Sequence, residues 1–280
     1  MSYRSILVHL DESPRCNARV DIAARLAREH GAHLLGLAPT GVINLPARVT
    51  PSATGVPNYL ELAQASLNER ATTLVQAFKL RVAGVGLESV EGRIDEEDSV
   101  VSLLENARVH DLVVLGQTDR APTGLVVEPD LPEQVFLHAG TPALVVPFVG
   151  SFDTVGGSIV VAWNGSRESA RAVHDAMPLL RKARSVHLLC FERTSDLRHL
   201  TRLRLNDARQ WLARHGVQAQ LHQEPVRINV GEALLSRACD LGADLVVMGG
   251  YGHSRVAEFL LGGVTRRLLG EMTVPVLLSH

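Results

Sequence analysis

Lysine is nearly missing from this chain. Among its 28 Lys and Arg residues only Lys79 and Lys182 are lysines. Neither completes G-x-x-x-x-G-K-[S/T], so a P-loop NTPase is excluded, and the strand lysine of protein kinases is absent too. Cysteine is scarce: Cys16, Cys190 and Cys239 are far apart and odd in number. That argues for a reducing compartment, without disulfides or a structural zinc. No segment approaches the ~18 unbroken apolar residues of a membrane span. The opening MSYRSILVHLDES runs straight into a strand-like stretch and lacks the apolar core and cleavage site of a signal peptide. Net charge is only −2, which gives no reason to expect nucleic acid or an acidic membrane as partner. The 12 histidines show no H-x-x-x-H spacing, so no dedicated metal site is expected. No nucleophile-elbow motif is present either. A cytoplasmic protein is expected.

What is present is apolar and periodic. At 46% hydrophobic, 280 residues suit one large domain or two of about 140. Residues 5–10 read as a buried strand, and Ser13-Pro14 as a cap and first position of a helix ending near Gly31. Strands are expected at 33–37, 87–94, 111–116 and 143–146, with helices at 59–82, 100–109 and 133–138. Residues 40–57, with several Pro, Gly and Thr, read as a loop. The second half repeats this order. Ile159 to Ser166 restates Ile6 to Ser13, and Asp244 to Gly249 restates Asp111 to Gly116. Between these anchors come helices at 166–180, 200–215 and 231–240, and strands at 186–191 and 219–225. The boundary falls within 147–157, dividing the chain into 1–149 and 150–280. The fold class is therefore α/β, two tandem open parallel-sheet domains.

The most informative stretch runs from Asp244 to Pro275. Strand residues Leu245 to Gly249 lead into a glycine-rich loop, and Gly262-Gly263 precede a helical run from Val264 to Leu269. Glycines at a strand exit allow a sharp turn and close ligand approach. A glycine-headed helix leaves its first N–H groups and its dipole available to an anion. Such a cradle belongs at the carboxyl edge of a parallel sheet. Gly249, two residues, Gly252, nine residues, then Gly262 resembles the nucleotide loop of the universal stress protein family. One departure stands out: Gly263 sits where that pattern has Ser or Thr, and Thr265 is the nearest hydroxyl.

The tandem arrangement also resembles fused members of that family, so the likeness covers essentially the whole chain. It implies Rossmann-like domains of the adenine nucleotide alpha hydrolase type, and ATP, with or without Mg2+, as the ligand. The aspartate that ends the family's first strand is present in the first half as Asp11. There Asp119 stands in place of Gly252, and Pro129-Asp130 in place of Gly262-Gly263. Proline removes a donor and aspartate repels phosphate. The second half keeps the glycines but carries Asn164, whose amide oxygen can accept from an adenine amino group. Met248, Gly249, Gly252, His253, Ser254, Gly262, Gly263, Val264 and Thr265 are the candidate phosphate and ribose contacts, with Asn164 for the base. The resemblance implies a stress-response, nucleotide-binding regulatory protein. The rivals are a slow ATPase, which would need Glu258 or Asp240 to position a metal or water, and a module that binds nothing. Cys16 falls in a helical first turn, where a buried inert thiol is the plainer reading. The short apolar strands 143–146 and 276–278 leave open edges, and the resemblance implies that they pair within the chain as a pseudo-dimer, with homodimerisation a further expectation.

Overall fold

The structure, a computed structural model, describes residues 2–41, 56–118, 130–192, 198–225, 229–250 and 263–280. The first half runs β1 (Ser5–His9), α1 (Cys16–His30), β2 (His33–Pro39), α2 (Val56–Val82), β3 (Val90–Asp95), α3 (Ser99–Ala107), β4 (Leu112–Gly116), α4 (Leu131–His138) and β5 (Ala143–Val146). The second runs β6 (Ser158–Ala162), α5 (Arg167–Asp175), α6 (Met177–Leu180), β7 (Ser185–Glu192), α7 (Arg198–Arg214), β8 (Ala219–Pro225), α8 (Val230–Asp240), β9 (Leu245–Gly249), α9 (Gly263–Glu271) and β10 (Val276–Ser279). Ile6-Leu7-Val8 and Ile159-Val160-Val161 are fully buried, as expected of parallel strands covered on both faces.

All strands join one 10-stranded sheet in the order β3-β2-β1-β4-β5-β10-β9-β6-β7-β8. Each half is parallel, and the halves meet where β5 and β10 run antiparallel, Leu144 opposite Leu277. The two short closing edges thus cover one another within the chain. One apolar layer lies between the sheet and α1, α2, α5 and α7; the other lies under α3, α4, α8 and α9. The repeated aspartates do the same work in both halves. Asp111 accepts from the backbone N–H groups of Arg4 and Ser5, and Asp244 from those of Gly156, Gly157 and Ser158, tying β4 to β1 and β9 to β6.

Several boundaries differ from the sequence expectation. Ser13 does not cap α1. Its hydroxyl donates to Asp11 at 2.7 Å and its carbonyl accepts from Cys16 N–H, so the helix starts at Cys16. The helix expected over 166–180 is divided at Ala176, because Pro178 has no N–H with which to continue α5. The C-cap of α1 is Gly31 at φ 60, a left-handed position open to glycine. Asp98 caps α3 by accepting from Val100 and Val101 N–H.

Candidate functional site

In each half the chain leaves two adjacent strands toward opposite faces: β1 and β4, then β6 and β9. The carboxyl edge between such strands is the crevice that open α/β sheets offer to ligands. In the second half it is flanked by α5 and α9. Asn164, just beyond β6, is exposed, and its Oδ1 accepts from Ser166 N–H at 3.0 Å. That leaves its amide nitrogen and one oxygen lone pair for a ligand. Ser166 caps α5 by accepting from Ser169 N–H at 3.2 Å.

Gly249 ends β9 directly against α5. A Cβ there would come within 2.6 Å of the Glu168 carbonyl oxygen, so helix–strand packing alone demands glycine. Met248 is buried in the apolar layer under α8 and α9. α9 begins at Gly263, its first turn carries no acidic residue, and Thr265 in that turn is buried. Gly252, His253, Ser254 and Gly262 lie outside the described residues, as do Asp119 and Pro129.

The corresponding crevice of the first half is built from charge. Arg19, 1% exposed, pairs with Asp11 at 2.7 Å and donates from Nε to the His9 carbonyl at 2.8 Å. Its guanidinium lies against Gly116, where a Cβ would collide with Nη1. Burial opposes ionisation of Asp11, yet Arg19, His9 and the Ser13 hydroxyl hold its carboxyl well below the usual carboxylate range. Burial, joined by the Arg19 charge, pushes His9 down to about 4 against the pull of Asp11. At α4 the helix start is anionic. Asp130, at φ 62, is its N-cap; a proline stands in the first turn; Glu133 is buried there. Burial and then the Asp130 carboxylate raise the Glu133 pKa. The residues present therefore fit an anion at α9 and do not fit one at α4.

The expected sites are not independent, which sequence reasoning missed. Gln117, just past β4, donates from Nε2 to the Leu269 carbonyl of α9 at 2.8 Å and accepts from Phe148 N–H at 2.8 Å. Phe136 of α4 lies against Gly250, where a Cβ would come within 2.5 Å of its ring. Asp130 faces Arg266 of α9 at 3.7 Å. Gln117 and Asp130 of the first half thus both contact α9 of the second. Arg19 was also missed; the available signal was a lone arginine on the apolar face of α1, a spacing of eight from Asp11.

Two open-sheet domains joined edge to edge, each with a crevice at its strand-order switch, define the class: a tandem α/β protein of the Rossmann-like kind. Comparison with family profiles matches residues 2–147 and 157–280 to the universal stress protein family. The chain belongs to that family, as a tandem of two of its domains. It is 26% identical over 228 residues to a universal stress protein of Synechocystis sp., covering 78% of this chain and 75% of the relative. A universal stress protein structure from Archaeoglobus fulgidus superposes with a TM-score of 0.76 at 15% identity, covering 98% of this chain and 97% of that one. A functionally unknown Pseudomonas aeruginosa protein gives 0.62 at 20% identity, covering 99% and 92%. Among the described residues no helix is long and apolar enough to cross a membrane, and no cluster of three His, Cys, Asp or Glu is arranged to hold a metal.

Proposed function

We propose that this protein is a nucleotide-binding regulatory protein of the stress response, with one ATP-class site, in the second half. The observation that carries this reading is the contrast between two helix starts. α9 begins with glycine and has no carboxylate in its first turn, whereas α4 is capped by Asp130 and carries Glu133. Backbone N–H groups of Gly262, Gly263, Val264 and Thr265, with Gly249, Gly252, His253 and Ser254 of the loop, would hold the phosphates and ribose. Met248 contributes through its backbone, and Asn164 meets the base. Binding by main-chain donors needs no catalytic group. The protein is a binder and not an efficient ATPase.

The test is mass spectrometry of the small molecules released from purified protein, followed by calorimetry with the nucleotide found. An adenine nucleotide bound once per chain supports the reading. Protein that emerges empty and gives no heat with ATP, ADP or AMP refutes it.

A further inference from the structure

The second half contains a cleft that adjoins the candidate nucleotide crevice, with Trp163 and Gly165 on either side of Asn164 in the chain, but is lined by none of the candidate nucleotide contacts. It lies between α5 and α7, has a volume of about 480 Å³, and is lined by Trp163 and Trp211, with Leu188 of β7 among its apolar residues. These are both of the chain's tryptophans. The equivalent place in the first half is differently built. There α2 is bound to the α1 region by Arg70–Glu12 and Arg81–Asp21 ion pairs at 2.6 Å, and Phe78 packs onto Gly36. Leu188 occupies the register position of Gly36, each paired in its sheet with the repeated valine, Val161 or Val8.

The cleft is shaped and charged for one kind of occupant. Trp211 is held on two sides, 4.6 Å from the His174 ring and 4.3 Å from the His215 ring, so it forms a fixed aromatic wall. Trp163 forms another, and its indole N–H is buried without a hydrogen-bond partner. Arg204, Arg214 and Asp207 also line the cleft, leaving an excess of positive charge, and none of the three forms an ion pair among the described residues. Two indoles favour a flat π-system, two guanidiniums favour an anion, and the volume lies in the range of small-molecule sites. We propose that this cleft binds a planar aromatic anion, an organic acid of one or two fused rings, at a site separate from the nucleotide crevice.

Because both tryptophans line the cleft, the chain's intrinsic emission reports on it directly. The probe is 2-naphthoate, titrated into the full chain while tryptophan fluorescence is followed, with 2-naphthylmethylammonium as the cation of the same ring. Saturable one-to-one quenching by naphthoate is expected, with the cation at least about tenfold weaker. Arg204→Glu with Arg214→Glu, both on the surface, should weaken naphthoate about tenfold. Ala208→Phe, which fills the cleft, should abolish binding while circular dichroism and the thermal melt stay native. Saturating ATP should leave naphthoate binding unchanged. Equal binding of cation and anion, absence of saturable quenching, unaltered affinity in the arginine variant, or displacement by ATP would each overturn the proposal. The outcome does not depend on whether ATP itself binds.

Discussion

At the end of its first strand the amino-terminal half carries His9, Asp11 and, one helix later, Arg19; the same repeat positions in the other half hold Ala162, Asn164 and Ala172. One set is a buried ion pair with a neutral histidine beside it. The other is uncharged and leaves Asn164 exposed. Two copies of one backbone have thus been put to different uses. The first half binds its own charges at its crevice, and places Asp130 and Glu133 at the helix start where an anion would otherwise sit. The second keeps a glycine-headed helix with no carboxylate in its first turn. Charge spent on internal structure is not available for recognition, and the halves show that exchange side by side.

The largest effect should come from breaking the ion pair. Asp11→Ala leaves Arg19 buried without its partner and should cost about 3 kcal/mol, at the lower end for such pairs because Asp11 is 32% exposed. Asn164→Ala, at the equivalent position, should cost under about 1 kcal/mol, since only one exposed turn hydrogen bond is lost. Chemical denaturation of both variants measures the difference, and equal losses would erase the proposed contrast.

Acid should act on the first half next. His9 stays neutral when folded down to about pH 4, while the unfolded chain takes up that proton near 6.5. Above 6.5 neither state is protonated at His9, so it contributes no pH dependence. Between 6.5 and 4 the unfolded state binds more protons, and stability falls by up to about 3 kcal/mol as pH drops. His9→Ala, which copies Ala162, should reduce the slope of the measured stability curve in that window, leaving the part due to His30, which burial also lowers to about 4. An unchanged slope would place the acid sensitivity elsewhere.

Glycine replacements sharpen the comparison further. Gly249→Ala drives a Cβ into the backbone of α5 and should cost about 2–3 kcal/mol. Gly116→Ala meets a side chain and not backbone, though Asp11 and the His9 carbonyl hold Arg19 in place, and should cost about 1–2 kcal/mol. Thermal melts of both variants test the order, and a Gly116 variant as damaged as the Gly249 one would contradict it. Gln117→Ala, which removes two hydrogen bonds to other segments, should cost about 1–2 kcal/mol. It should also loosen α9, read as faster amide exchange from Arg266 to Leu269. Unchanged exchange there would mean that the first half does not brace the helix.

Much of the fold was legible because parallel strands buried on both faces read as unbroken apolar runs, as at Ile6-Leu7-Val8 and Leu245-Val246-Val247. The repeat then gave the topology of each half, and the short apolar strands at 143–146 and 276–278 pointed to the pairing of β5 with β10. Element ends were less readable. Ser13 has the composition of a cap, but Asp11 captures its hydroxyl. β3 starts at Val90, later than expected, on the edge of the sheet where one neighbour alone defines the pairing. At the candidate site, the glycines were picked out by a spacing that resembles the family's loop and Asn164 by its repeat position opposite Asp11, while Gly252 and Gly262 lie outside the described residues. Arg19 was not, because an arginine on a helix reads as solvated until Asp11 is placed beneath it. The contacts of Gln117 with Leu269 and of Phe136 with Gly250 span more than a hundred residues, and no local pattern encodes them.

The division of labour between the halves is tested most directly by calorimetric titration of ATP into the full chain and into Gly262→Val and Asp130→Gly variants. A side chain at Gly262 blocks phosphate from the backbone, and losing one or two charge-assisted hydrogen bonds, each roughly 1.5–3 kcal/mol, should weaken binding at least about tenfold. The account predicts one ATP per chain in the wild type, near-complete loss with Gly262→Val, and no second site with Asp130→Gly. Two ATP per chain, or binding that survives Gly262→Val, would contradict it.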